Sequence, residues 1–122
     1  MALVYTACSK DAAPSTQKLA TEVAQESYEA LYNGKYEDFL KARANYDEMP
    51  QSYRDALTTS YRQHVAEVRK NHEGVTSVEA IRTESDTALG VMQVFMTVTY
   101  GDQSQEEIVV PLVKVDDEWK LK

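Results

Sequence analysis

The spacing of apolar residues changes once along this chain, near Gly74, and that switch restricts the fold more than any other feature. Upstream, apolar side chains recur every three or four residues, the period of a helix face; downstream they recur every second residue, the period of a strand face. The first segment predicts three helices. Pro14-Ser15 or Ser15-Thr16 offers an N-cap, and Leu19, Val23, Ala24, Tyr28, Leu31 and Tyr32 then trace one face as far as Asn33-Gly34. Lys35 to Ala44 makes a shorter helix with Tyr36, Phe39 and Leu40 on one side, and Asn45 to Met49 a loop. Pro50 suits the first turn of the third helix, whose stripe of Tyr53, Leu57, Tyr61, His64, Val65 and Val68 runs on until Gly74 provides a left-handed cap.

Beyond Gly74, Val75 to Thr83 reads as a first strand, Glu84-Ser85-Asp86 as a turn, and Ala88 to Tyr100 as a long second strand. On that strand Met92, Val94, Met96, Val98 and Tyr100 share one face, while Leu89, Val91, Phe95 and Thr97 share the other. Either both faces are covered, or one of them lines a cavity or an interface. Gly101 to Ser104 makes a tight connection to Gln105 to Val115, where Pro111 signals an edge strand or a bulge. Asp116-Asp117-Glu118 then turns the chain into a last short strand, Trp119-Lys120-Leu121. Helices followed by a meander, with no alternation of the two, imply an α+β fold in which three N-terminal helices pack on a curved four-stranded antiparallel sheet. At 122 residues one such domain buries roughly 65 to 70% of its unfolded surface, enough for a single core.

Charge narrows the partners. Twenty acidic against thirteen basic residues give a net charge of −7, and no basic run exceeds the Arg69-Lys70 pair, so nucleic acid is not an expected partner. Cys8 is alone, which rules out an internal disulfide, and no Glu-x-x-His, His-x-His or carboxylate cluster offers metal ligands. Neither a metal nor any other cofactor is expected. After position 8 no apolar run approaches the roughly 20 residues of a spanning helix.

The first fourteen residues carry a different message. Met1-Ala-Leu-Val-Tyr5-Thr6-Ala7-Cys8-Ser9 reads as the end of an apolar signal stretch followed by small residues and a cysteine, which looks like the lipobox of bacterial lipoproteins. Tyr5 stands where leucine is commoner, and the charged region that precedes such a stretch is missing, so residues 1–14 read as a truncated lipoprotein signal and tether. The other reading is a frayed segment with an incidental free thiol at Cys8. Lys10-Asp11-Ala-Ala-Pro14-Ser-Thr has the polar, small-residue composition of a spacer, and acylation of Cys8 would supply the membrane affinity.

Three features together resemble the nuclear transport factor 2-like superfamily, the cystatin-like α+β cone shared with ketosteroid isomerases and polyketide cyclases. They are the helix-turn-helix from Tyr28 through Asn33-Gly34 to Phe39-Leu40, the order of three helices and four strands, and the ending Val110-Pro-Leu-Val113-Lys-Val115-Asp-Asp-Glu-Trp119-Lys-Leu121. The last is similar to the close of the sheet in small bacterial lipoproteins of that superfamily. The likeness covers residues 15–122 and implies a pocket between the helices and the concave sheet.

Tyr28, Tyr32, Tyr36, Tyr61, His64, Met92, Phe95 and Trp119 are the candidate lining residues of such a pocket. Aromatics at helical spacing serve equally as core residues whose hydroxyls reach the rim. An isomerase, dehydratase or cyclase would need a base and an oxyanion donor, for which His64 with Tyr28 or Tyr61 is the available set. A histidine beside an apolar stripe serves as well as a hydrogen-bonded boundary residue. His72, near the end of its helix, favours the helix dipole when protonated. With no Gly-x-Ser-x-Gly and no phosphate loop, the expected function is non-enzymatic: a lipid-anchored accessory module of the bacterial cell envelope, on its periplasmic or surface side. It would bind a small apolar ligand or an envelope protein and touch the membrane only through Cys8. Leu89, Val91, Val109 and Val113 on the outer sheet face would suit a homodimer.

Overall fold

The computed structural model describes residues 18–122; the helix cap sought at residues 14–16, the tether and Cys8 lie outside the described residues. Helix α1, Ala20–Tyr32, starts at Leu19, whose backbone N–H donates to the Glu22 carboxylate at 2.9 Å. Its inward face is Ala20, Ala24, Ser27 and Leu31, one residue per turn, flanked by half-buried Val23, Tyr28 and Tyr32. Gly34, with φ of 83°, lets the Lys35 N–H return to the Ala30 carbonyl at 2.8 Å and ends the helix.

Helix α2, Tyr36–Lys41, is shorter than the sequence suggests because the chain leaves it to serve the sheet. Leu121 N–H donates to the Ala42 carbonyl at 2.8 Å, and Ala44 N–H to the Leu121 carbonyl at 2.7 Å, so residues 42–44 cover the open edge of the last strand. A single 3₁₀ turn, Tyr46–Glu48, occupies the expected loop. Pro50 precedes α3 as its N-cap, extended at ψ of 154°, rather than lying within the first turn; α3 spans Gln51–His72. Gly74 is left-handed as expected, but so is Glu73 at φ of 62°, and Glu73 is the capping residue.

Four antiparallel strands follow in a simple meander: β1 Val75–Asp86, β2 Val91–Tyr100, β3 Gln105–Val115 and β4 Glu118–Leu121. Glu84-Ser85-Asp86 is therefore strand and not turn. Those residues pair with Gln93, Met92 and Val91, and the reversal falls at residues 87–90, where Asp86 Oδ1 accepts the Leu89 N–H at 3.2 Å and Gly90 takes φ of 66°. Ala88 and Leu89 consequently leave the second strand, and Leu89 stands 68% exposed in the turn.

Pro111 sits in an interior strand, opposite Gln93, with no bulge at that pair. Its carbonyl accepts the Lys122 N–H at 3.0 Å, just past the last paired residue of β4. In an antiparallel ladder N and O of one residue point the same way, so the missing N–H falls where that ladder ends and costs little.

Val94, Met96, Val98, Val110 and Leu112 turn one face of the sheet toward Ala24, Leu31, Phe39 and Val65. Met96, Leu112, Val94 and Val98 are the largest fully buried side chains, so the centre of the space between helices and sheet is packed by the sheet's own residues and Phe39.

Candidate functional site

The structure divides the anticipated lining residues among several places. Tyr28 and Tyr61 come together, each edge-on to Phe39, at centroid distances of 5.1 and 4.9 Å and interplanar angles of 82° and 89°. Phe39 thus occupies the middle of the site that the two phenols would have lined. Tyr32 lies with His64 instead, Oη to Nε2 at 3.2 Å, and His64 is exposed on the outside of α3. Tyr36 takes the Arg62 guanidinium over its ring at 5.4 Å. Met92 packs against the edge of the core and accepts a contact from Ser85 Oγ to Sδ at 3.6 Å.

Two further residues belong elsewhere. Phe95 alternates with Val94 and Met96 and so faces away from the helices, with the Arg82 guanidinium 3.8 Å from its centroid. Arg82 also reaches Glu84 and Glu107, at 3.7 and 3.6 Å, so this outer face is a charged lattice over one aromatic ring. Of the residues expected to seek cover there, Val91 is already buried, Val113 is half-buried, Leu89 is in the turn, and Val109 is exposed. Trp119, with Lys114 over its ring at 5.3 Å, lines a groove of about 600 Å³ between α1, Ala42 and the β3–β4 turn. Grooves of about 550 and 400 Å³ flank α1 on its β1 and α2 sides. Tyr28, Tyr61 and His64 line none of the three.

The chemistry of the phenols follows from burial. Desolvation pushes Tyr28 and Tyr61 up, and the nearby Arg43 guanidinium only partly draws them back. Tyr32 is pushed up to about 12, by burial first and then by Tyr28 and Glu106. All three therefore stay protonated at neutral pH and serve as hydrogen-bond donors, not bases. The proposed catalytic set is not assembled either, since His64 pairs with Tyr32 and not with Tyr28 or Tyr61.

Arg43 had no place in the sequence reading. It lies past the end of α2, in the bridge to Leu121, and its guanidinium comes near the Tyr28 and Tyr61 phenols.

A domain family described as "Domain of unknown function (DUF4878)" matches residues 13–122. The chain belongs to that family. The backbone of this DUF4878 domain is similar to the crystal structure of a Campylobacter jejuni protein provisionally named as an NTF2-like transpeptidase, with a TM-score of 0.66 over 82% of this chain and 94% of that one. Identity is 14%, so the likeness establishes the NTF2-like fold and nothing about activity. No curated protein matches the sequence.

The DUF4878 domain carries a second polar cluster where α3 meets the β2–β3 turn. Gly101 N–H donates to the Gly74 carbonyl at 2.8 Å and Asp102 N–H to the His72 carbonyl at 3.0 Å. The His72 ring stacks on Tyr100 at 4.5 Å, and its Nδ1 lies 3.0 Å from Asp102 Oδ2. Ser104 donates to Asp102 Oδ1 from both its hydroxyl, at 2.5 Å, and its backbone N–H, at 3.0 Å. These two bonds, with His72 next, hold the Asp102 carboxyl down at about 2. Tyr100 donates to Glu106 and is pushed up by burial first and by that carboxylate second. Ser104 donates to Asp102, and the cluster clips the end of α3 to the β2–β3 turn.

Proposed function

We propose that this DUF4878 domain is a non-enzymatic accessory or binding module of the bacterial cell envelope, tethered through an acylated Cys8. The observation that carries the reading is the filled interior: Phe39 between Tyr28 and Tyr61, with Met96, Leu112 and Val94 behind it, occupies the room that a turnover site of this fold would need. The buried phenols, held protonated, are suited to holding a ligand and not to abstracting a proton. The sequence Tyr5-Thr6-Ala7-Cys8 motivates the tether, and no described helix is long and apolar enough to cross a membrane. The net charge of −7 favours neutral or cationic partners over nucleic acid.

The test is made on the complete gene product in a bacterial host. Wild-type chain is expected to fractionate with membranes and to incorporate labelled palmitate, and Cys8→Ser to lose both. A soluble, unlabelled wild type would overturn the tether. Turnover of a small carbonyl or hydroxy substrate that disappears in His64→Ala would overturn the non-enzymatic reading in favour of isomerase-type chemistry.

A further inference from the structure

Three grooves border α1, and Glu26 lines all of them. The one of about 600 Å³ has Trp119, Val23 and Ala42 as its apolar lining and the β3–β4 turn along its rim. Trp119 shares the helix-facing side of β4 with buried Leu121, whose N–H donates to the Ala42 carbonyl at 2.8 Å, so backbone bonds tie these parts together. The groove of about 400 Å³ continues from it past Glu26 and Ser27, which line both, toward Glu29, Lys35 and Asp38. One buried hydroxyl lies where the two meet. Ser27 is 8% exposed and sits on the inward face of α1. Thr58 returns its hydroxyl to the Arg54 carbonyl one turn back, at 2.9 Å. No such bond among the described residues engages Ser27, and its Oγ is not one of the polar atoms sealed from solvent, so it opens onto the grooves as a donor or an acceptor.

Charge decides what fits. In the larger groove Lys18 meets Glu26 at 2.5 Å and Lys120 meets Glu118 at 3.5 Å, while Lys114 stands 5.3 Å over the Trp119 ring. Asp116 and Asp117 form no ion pair among the described residues, so the spare charge of this groove is negative. In the smaller one Glu29 and Asp38 outnumber Lys35. The chain's own ammonium groups thus already rest on Glu26, Glu118 and the indole, the contacts that a lysine or arginine of another protein would make. We infer that the two joined grooves dock an extended, lysine- or arginine-bearing segment of a partner protein. Its backbone passes Ser27, and its cationic side chains reach Asp116-Asp117 at one end and Glu29 with Asp38 at the other. An extended backbone offers both N–H and C=O to the hydroxyl, and its alternate side chains fall on Trp119, Val23 and Ala42. A small amine would engage one end alone, and the rim repels anionic lipid and nucleic acid. The net charge of −7 steers a basic segment toward the chain.

This inference rests on the binding-module reading and names the class of partner; membrane fractionation and substrate turnover read neither groove, so the two fail separately. Trp119 is the chain's only tryptophan, so its fluorescence reports the larger groove. The full chain is titrated with a blocked peptide of alternating lysine and alanine, with the matching glutamate and alanine peptide, and with the diamine putrescine. The lysine peptide is expected to change the fluorescence saturably and to bind more weakly as salt rises, with the other two far weaker. Asparagine tolerates left-handed backbone as aspartate does, so Asp116→Asn with Asp117→Asn should keep the wild-type melting temperature. Its affinity for the lysine peptide should fall about three- to tenfold, the scale of two exposed charge contacts. Glu67→Gln with Glu79→Gln removes the same charge from exposed positions outside the grooves and should leave affinity unchanged, which separates the groove from net charge. No saturable change, glutamate peptide or putrescine bound as tightly as the lysine peptide, or equal affinity in the two double variants would each overturn the inference. So would fluorescence that follows protein concentration alone, the mark of a second copy in the groove.

Discussion

At Gly101 a single hydrogen atom decides whether the sheet can dock on α3. A β-carbon there would sit 2.2 Å from the Glu73 carbonyl oxygen, inside any real contact distance, and the obstacle is backbone that cannot swing away. Gly101→Ala should therefore cost about 1–3 kcal/mol, the range for forcing a close-packed site open, read as a lower urea midpoint at unchanged slope. Asp102 beside it makes a pH-dependent contribution. Its carboxyl is held at about 2 in the folded chain and returns to the ordinary carboxylate value on unfolding, so the unfolded state binds more protons between those values. The stabilisation is full above about pH 4 and fades as pH falls toward 2. Thermal melts of the wild type should show that loss, and Asp102→Asn should flatten this part of the acid limb.

Among the elements, the β3–β4 turn is the place where the local sequence fits its backbone least well. Asp116 and Asp117 both hold positive φ, 53° and 66°, the mirror-image hairpin turn that favours glycine at its second position. Asp117→Gly should raise stability by about 0.5–1 kcal/mol, measured by equilibrium denaturation, because it removes left-handed strain at an exposed residue.

The elements also show what could be read from residues alone. The period change at Gly74 marked the helix–sheet boundary correctly, because amphipathic faces must match their geometry wherever one side is buried. The first hairpin was misplaced because Ala88 and Leu89 look like strand residues, whereas the polar Glu84-Ser85-Asp86 pairs at an exposed margin where composition says little. Phe95 stood among the candidate pocket residues together with Met92, which lies on the opposite strand face. The parity of Phe95, opposite to Val94 and Met96, placed it outside, and a bulge between Ala80 and Arg82 brings the arginine over it. Arg43 and Arg54 carried no signal in the sequence, because Arg43 lies past the end of α2 and the Tyr46 turn that receives Arg54 read only as a loop.

Over the whole molecule, the resemblance seen in Tyr28 to Leu40 and in the closing Trp119-Lys-Leu121 is confirmed as an NTF2-like fold, with side chains packed around Phe39 and an open groove at Trp119. The account's central claim is that the space around Phe39, between helices and sheet, is closed, so that recognition happens at the grooves beside α1 and at the surface. Xenon-dependent NMR of the Val94, Met96 and Leu112 methyl groups tests this most directly, since a dry apolar cavity takes up xenon and a filled core does not. Phe39→Ala, which should open such a cavity at a cost of about 3–5 kcal/mol, is the positive control. The account predicts saturable methyl shifts in that variant and none in the wild type; saturable shifts at Val94, Met96 and Leu112 in the wild type would contradict it.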